Sequence, residues 1–308
     1  MKVLIFGGTG WVGHTIAGFF IEDNHDVTIC SRGEKKTFSS VIEKAKFLKA
    51  DKSVECEVEK IFAENKYDYV IDSVPTEKTI DYIYKYAKGL KHYLHCSSTG
   101  GYAPLPFIPC NETAYYEGYA AGWKSTKKVV DNKVLDLFNR RGFPATVIRP
   151  CYITGIGMLP LDNQGGRRTD FISDIIAGKV LDLPNDGQSL LQPIHVEDLA
   201  HSFLLAAANG DKSKGQVYNI CLEKAVTLNN YLEINAAVFN TKPVINYISL
   251  EEMVKKYGDT INETGLRFMA LHMCFDIFKA KEQIGYFPEY TTEQAIEETA
   301  LWASKQRT

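Results

Sequence analysis

The chain has 308 residues, a net charge of −3 and a pI of about 6.2. This length can bury a substantial core in one large or two modest domains. No basic tract stands out, which argues against nucleic acid or an acidic membrane as main partner, and no apolar run is long enough to span a bilayer.

The first element is a strand, Val3–Phe6, which runs directly into Gly7, Gly8, Gly10 and Gly13. An apolar helical pattern, Ile16, Phe19 and Phe20, follows. Strand, tight glycine turn and helix form the context that a dinucleotide loop requires. Gly7 permits the turn, Gly10 lets backbone approach a pyrophosphate, and Gly13 lets the helix pack on the strand. The helix N-terminus offers N–H groups and partial positive charge to phosphates.

Further β-rich runs at Val27–Cys30, Tyr69–Val74, Tyr93–Ser97 and Ala145–Arg149 alternate with helical patterns centred near residues 16, 57, 81 and 132. The alternation predicts an α/β fold, a Rossmann-type doubly wound parallel sheet with helices on both faces. After Pro150 the pattern changes. Residues 151–166 are glycine-rich and read as loop. Then come a helix at Asp170–Ala177, a strand near Leu190–Ile194, a helix at Val196–Ala208 and a strand at Gln216–Cys221.

Amphipathic patterns follow at Leu228–Phe239, Leu250–Lys256, Asp276–Ile284 and Thr292–Ser304. Ser249 before Glu251–Glu252, and Thr291–Thr292 before Glu293, read as helix starts. There is no internal repeat and no low-complexity linker. The division expected is a dinucleotide-binding domain, 1–153 with return segment 187–221, and a smaller substrate lobe, 154–186 and 222–308.

The seven cysteines (30, 56, 96, 110, 151, 221 and 274) are odd in number, and several lie in apolar runs without any CxxC pair. They read as buried free thiols. No signal peptide precedes the first strand, so a soluble cytoplasmic protein is expected. No HExxH and no zinc-type His/Cys spacing occurs, so no metal is assigned. Ser98 is not in a G-x-S-x-G turn, which argues against a hydrolase triad.

The second strand also bears on the cofactor. An NAD-binding unit usually ends this strand with an acidic residue that accepts from the ribose hydroxyls. HDVTICSRG places Ser31 there, followed by Arg32, and Asp26 comes too early. A hydroxyl and a guanidinium suit a 2′-phosphate, and a carboxylate would repel it. NADP is therefore expected, with NAD as the alternative.

GGTGWVG, FLKADK (47–52), YVIDSVP (69–75), HCSSTGGYAP (95–104), VIRPCYITGIG (147–157), GQSLLQPIHVEDLAHSF (187–203) and IGYFPEYTTEQAIEETALWA (284–303) together resemble the extended short-chain dehydrogenase/reductase family, its epimerase/dehydratase-like group. The likeness covers nearly the whole chain. It implies cofactor contacts from Gly7, Thr9, Gly10, Trp11, Val12 and Gly13, from Ser31 and Arg32, and from Asp51 and Lys52. It also implies contacts from Ser73, Val74 and Pro75, from Lys127, and from Pro150 and Ile153 beneath the nicotinamide. Thr99, Glu112, Arg167 and Arg168 are its candidate substrate contacts. Asp198 reads as a structural acceptor and Trp302 as core.

In that family a Tyr moves the proton while hydride moves. A Lys one helical turn later lowers the phenol pKa and holds the nicotinamide ribose, and a Ser on the fifth strand binds the same oxygen. Ser98 and Lys127 match the Ser and the Lys, and Asp131 falls where an acidic residue usually follows. Four residues before Lys127 stands Trp123, in WKSTK. Indole has no accessible acid–base chemistry near neutral pH.

Three readings stay open. Another group supplies the proton (Tyr119, Tyr152 or a water held by Ser98), or the reaction needs no phenol, or the site is not catalytic. Tyr152 also stands where nucleotide-sugar enzymes often carry Asn. The chain looks closer to an atypical branch that includes reductase-like proteins and the chloroplast stem-loop RNA-binding proteins, which also lack the tyrosine.

The leading expectation is an NADP-dependent oxidoreductase or epimerase-like enzyme with an atypical site, acting on a small polar carbonyl, alcohol or sugar-like compound. The alternative is a non-catalytic NAD(P)-binding regulatory or RNA-associated protein. The resemblance further implies a homodimer through the helices around Thr79–Ala87 and Lys127–Arg140, with Val130, Val134, Leu137 and Phe138 as an apolar stripe.

Overall fold

A computed structural model describes residues 1–33, 43–114 and 123–306, with backbone alone for 123–126. Seven parallel strands build the central sheet: β1 (Lys2–Phe6), β2 (Asp26–Ser31), β3 (Lys46–Lys49), β4 (Tyr69–Asp72), β5 (His92–Cys96), β6 (Ala145–Pro150) and β11 (Val217–Ile220). Their order is β11-β6-β5-β4-β1-β2-β3. The strand order reverses between β1 and β4, where such sheets open a crevice at their carboxyl ends. Val3, Leu4, Ile5 and Phe6 are all buried, as both faces of a helix-covered parallel strand must be.

The covering helices are α1 (Trp11–Glu22), α2 (Glu55–Glu64), α3 (Glu77–Tyr86) and α4 (Trp123–Arg141), with α6 (Val196–Ala208) packed beside α1. α3 starts where Thr76 accepts from Thr79 N and the Thr79 hydroxyl answers the Thr76 backbone N–H. That is a reciprocal cap.

Beyond β6 come β7 (Tyr152–Thr154), α5 (Phe171–Ile176), β8 (Val180–Pro184), β9 (Leu190–Leu191) and β10 (Pro193–His195). β7 and β10 pair in parallel, so the stretch expected as loop after Pro150 includes a short strand. β12 (Val226–Thr227), α7 (Leu228–Ala237), β13 (Val244–Ile248), α8 (Leu250–Tyr257), α9 (Glu263–Met269), α10 (Phe278–Ile284) and α11 (Thr292–Ser304) complete the chain. β8 and β13 pair in parallel, and neither was expected from sequence. Ser249 and Thr291 cap their helices as predicted, in reciprocal boxes with Glu252 and Gln294.

A separate apolar cluster unites Phe171, Ile175, Leu181, Leu228, Leu232, Ile296 and Ala300 in the lobe. Phe275, Ile277, Ala280, Ile284 and Tyr286 were expected in that lobe but pack into the core around the central sheet. Hence the last third of the chain clasps the sheet as well as the lobe.

Two expectations are corrected here. Val130 and Val134 lie in the chain's own core under the sheet, and Leu137 packs against that cluster. Phe138 lies over Gly215. The stripe on α4 is used inside the protomer. Cys151 and Cys221 form a disulfide, whereas free thiols were expected. The parallel pairing of β6 with β11 brings the two strand ends together across 70 positions of sequence. Among the described residues no helix is long and apolar enough to cross a membrane.

Candidate active site

The glycine loop leaves β1 through Gly7 at φ 76°. Gly7 N–H donates to Cys30 O at 3.1 Å, and Gly10 N–H returns to Gly7 O at 2.9 Å. A Cβ on Gly13 would sit 2.4 Å from Gly7 O and one on Gly10 would sit 3.2 Å from it. The turn therefore closes only with bare backbone. α1 begins at Gly10 with no side-chain cap and no acidic residue in its first turn, which keeps its positive end clear for an anion.

A cavity of about 390 Å³ opens beside this loop, lined by Gly7, Thr9, Gly10, Ser31, Arg32, Asp51, Lys52 and Val74 of the predicted set. Phe6, Cys30, Gly33, Ala50, Ser53, Thr76 and Thr79 also line it and were missed. Phe6, Cys30 and Ala50 flank the named positions at strand ends, where register would have found them, whereas Thr76 and Thr79 belong to the start of α3. Ser31 Oγ accepts from Gly33 N at 3.2 Å, which turns the chain sharply at Arg32.

Asp51 accepts from Ser53 N at 2.8 Å and from its hydroxyl at 2.7 Å. These bonds chiefly hold its carboxyl below the usual range, with help from the charges of Arg32 and Lys52. Lys52 bonds to buried Asp72 and donates to Val74 O at 2.6 Å. Asp72 also accepts from Val74 N at 3.1 Å and from the Thr79 hydroxyl at 3.1 Å. The floor of the cleft is thus a closed polar cluster, and Lys52 belongs to that floor.

The other cofactor candidates sit around it. Ser73 Oγ donates to Phe6 O at 3.0 Å, and Pro75 is buried. Val12 and Gly13 lie inside α1, with Gly13 against Gly7. The Trp11 indole N–H donates to Ile156 O at 2.5 Å, tying the glycine loop to the segment after β7, and it lines a different cleft. Pro150 O accepts from Thr99 Oγ1 at 3.3 Å, and Ile153 O accepts from Arg167 at 2.9 Å. The cavity residues, the bare turn and the uncapped helix end fit a dinucleotide.

Ser98 and Thr99 follow β5 in a single 3₁₀ turn, and Ser98 Oγ accepts from Gly100 N at 3.2 Å. Lys127 is half-buried on α4 and acts electrostatically on Cys96 at the end of β5. Burial pushes that thiol up to about 11 against the pull of the lysine. Trp123 lies one turn before Lys127 on the same helix. Its side chain, like all of Tyr119, lies outside the described residues.

A second cavity, about 200 Å³, lies between this strand end and the lobe. Ser98, Thr99, Gly100, Cys151 and Tyr152 line one side. The other side includes Leu161, Leu190, Leu191, Gln192, Leu228, Phe268, Met269, Met273 and Phe275. None of the lobe residues was singled out from sequence. They come from segments distant in the chain that only the tertiary fold brings together.

Three predicted substrate contacts have partners within the protein itself. Arg167 donates to Leu159 O and Ile153 O, and its guanidinium lies 4.6 Å from the Tyr152 ring centre. Arg168 bonds to Asp170 at 2.9 Å, Asp174 at 3.1 Å and Asn163 at 3.2 Å. Both tie the lobe together. Glu112 accepts from Asn219 N at 2.7 Å, away from the cavity, and burial pushes its carboxyl up. Tyr152 lines the cavity, while its hydroxyl accepts from Leu161 N and from Arg167 at 3.3 Å. Asp198 accepts from Glu289 N at 2.7 Å and Tyr290 N at 3.3 Å, the structural part expected of it. Among the described residues no His, Cys, Asp and Glu group is placed to hold a metal.

The whole architecture has close counterparts. A UDP-glucose 4-epimerase from Stenotrophomonas maltophila, with bound NAD and formylated UDP-arabinopyranose, superposes with a TM-score of 0.79 at 17% identity, over 99% of this chain and 98% of its own. In sequence, the chloroplast stem-loop binding protein of 41 kDa b from Arabidopsis thaliana is 27% identical over 96% of this chain and 77% of its own length. A UDP-glucose 4-epimerase from Corynebacterium glutamicum is 24% identical over 98% of this chain and 95% of its own. Residues 3–82 and 76–221, which carry the glycine loop, the Ser98 turn and the sheet, match the family model itself, so the chain belongs to the NAD dependent epimerase/dehydratase family.

Proposed function

We propose that the protein is an NADP(H)-dependent oxidoreductase or epimerase-type enzyme that acts on a carbonyl or alcohol compound. Ser31 and Arg32 would hold the adenosine end of a dinucleotide, and Ser98 and Lys127 would stand toward its nicotinamide end, where the cofactor would supply or accept hydride. Ser98 donates a hydrogen bond to the reacting oxygen, and Lys127 holds the ribose. The observation that supports the NADP preference is the Ser31–Gly33 turn: Ser31 stands where a ribose-binding carboxylate usually does, and Arg32 follows it in the lining of the cleft. The homodimer implied by the resemblance would use the outward faces of α3 and α4, where Tyr84 and Val129 are exposed, and sedimentation tests it.

The test is fluorescence titration of NADPH and NADH against wild type and Arg32→Ala. Tighter NADPH binding in the wild type and a selective loss of about 1.5–3 kcal/mol in the variant are expected, the worth of one charge-assisted bond. Equal affinities in the wild type would overturn the preference.

A second reading has one feature in its favour. Trp123 removes the usual proton donor, and a relative is described as a stem-loop binding protein. A non-catalytic NADP-binding role predicts tight NADPH binding, no oxidation of NADPH over any carbonyl compound, and retention of a labelled RNA stem-loop.

A further inference from the structure

The cavity beside Ser98 has a chemistry that the resemblance does not anticipate. Its lobe wall is built from leucine, phenylalanine and methionine, and none of the described residues lining it carries a charge. Gln192 on that wall and Tyr152 facing it are spent on the protein itself. Gln192 donates to Leu222 O at 2.6 Å and accepts from Phe275 N at 2.6 Å, and the Tyr152 hydroxyl accepts from Leu161 N. Arg167 and Arg168 are bonded into the lobe. Ser98 and Thr99 line the opposite end, and Ser98 is the hydroxyl that the family resemblance sets on the reacting oxygen.

Moving a phosphate or a sugar's hydroxyls from water into such a space leaves them without partners, which is strongly unfavourable. An apolar body gains by the same transfer. The volume of about 200 Å³ also falls short of the roughly 300–1,000 Å³ of pockets that hold drug-sized ligands.

We propose that this cavity binds a compact, uncharged, largely hydrophobic ketone or secondary alcohol, with its single oxygen toward Ser98, and that it rejects nucleoside diphosphate sugars. The proposal deepens the functional reading above and revises the sequence-based expectation of a polar, sugar-like substrate. It rests on that reading for the oxygen's identity, but the apolar preference can be scored by binding alone.

The experiment uses the full chain with and without NADPH. The neutral fluorophore N-phenyl-1-naphthylamine reports occupancy, with trans-2-decalone and UDP-glucose as competitors. Decalone is expected to displace the fluorophore, and UDP-glucose to fail even at about hundredfold higher concentration. Phe268→Glu, which sets a carboxylate in the wall, is expected to weaken fluorophore binding at least about tenfold, and Phe268→Leu to change it less than about threefold. Circular dichroism checks the fold of both.

If Phe268→Glu does not fold, the competition ratio in the wild type decides alone. Displacement by UDP-glucose at concentrations matching decalone, or wild-type binding by a folded Phe268→Glu, overturns the proposal. Absence of fluorophore binding in the wild type overturns it as well. Failure of NADPH to bind while decalone competes would sink the cofactor reading and leave the apolar cavity standing.

Discussion

Asp131 on α4 accepts the Nε–H of Arg149 on β6 at 2.9 Å. Its other oxygen lies 2.9 Å from Nε2 of His95 on β5. A carboxylate only accepts, so Nε2 of His95 carries the proton of that bond. Arg149 also bonds to the hydroxyl of Tyr102 and lies over its ring at 4.9 Å. His95 and Asp131 are fully buried, and Arg149 is nearly so. The cluster joins two strands, the Ser98 turn and the helix that carries Lys127, so it sets the relative placement of Ser98 and Lys127.

Asp131→Asn is expected to be costly. Removing one partner of a buried charge set leaves the others uncompensated, a loss of about 3–5 kcal/mol. Burial alone would raise the Asp131 carboxyl, but the His95 bond and the Arg149 charge more than offset it and hold it below its usual value. A depressed carboxyl contributes stability above its unfolded pKa and loses it as pH falls through the folded one. Urea unfolding at pH 7.5 should therefore show the full deficit of the variant. The gap should narrow only in strong acid, below the ordinary range of an Asp.

Gly13→Ala tests the glycine loop as a packing device. The added methyl meets Gly7 backbone at 2.4 Å and 2.9 Å, where no flexible side chain can yield. Overpacking of this kind costs about 1–3 kcal/mol. The strand and helix must part, so dinucleotide affinity should fall with stability. A variant with wild-type thermal midpoint and wild-type NADPH affinity would refute the close approach.

His92 gives a pH dependence of opposite origin to Asp131. It is buried on β5, with Nε2 2.7 Å from Thr146 Oγ1, which in turn donates to Ser213 O at 2.6 Å. Burial, aided by the charge of Lys214, pushes the imidazole down to about 3. The unfolded chain therefore binds a proton near pH 6.5 that the native state refuses. This contribution is complete above pH 6.5 and is lost as pH falls from there toward 3. Between pH 7.5 and 5 the wild type should lose about 2 kcal/mol more than His92→Gln. Urea midpoints of both proteins across that range measure it, and parallel curves would sink the assignment.

The sheet was legible because parallel strands buried on both faces leave unbroken apolar runs, as in Val3–Phe6. Helix starts were legible where a hydroxyl and a Glu or Gln stand three apart, as at Ser249 and Glu252. β13 was not: only part of it is covered, and its sequence VINYI has no clean alternation. The dinucleotide half of the site was readable because backbone geometry demands glycine at fixed offsets. The substrate half was not. Arg167 and Arg168 look identical in sequence whether they face a ligand or, as here, Ile153 O and Asp174. The wall made by Leu191, Leu228, Phe268 and Met273 assembles from four separate segments, and each alone reads as ordinary core. The same holds for Cys151 and Cys221, whose pairing follows from strand order alone.

Trp123 and Lys127 share one face of α4, a turn apart, where the family resemblance puts the tyrosine and lysine. If the lysine holds the nicotinamide ribose, Lys127→Ala should weaken NADPH binding by about 1.5–3 kcal/mol, the worth of a charged hydrogen bond. An indole moves no proton near neutral pH, so Trp123→Phe should keep cofactor affinity and much of any turnover. Ser98→Ala should leave NADPH binding intact and lower turnover about 10²-fold, the usual effect of losing one hydrogen bond to developing charge. NADPH titration of the three variants, followed by a screen for NADPH oxidation over neutral ketones, separates the roles. Normal NADPH binding by Lys127→Ala would show that the register is wrong and that Trp123 does not occupy the tyrosine position. Wild-type turnover by Ser98→Ala would remove the serine from the reaction. A chain that binds NADPH through Lys127 yet oxidises it over no ketone would leave the non-catalytic reading in place, with Trp123 as the substitution that accounts for it.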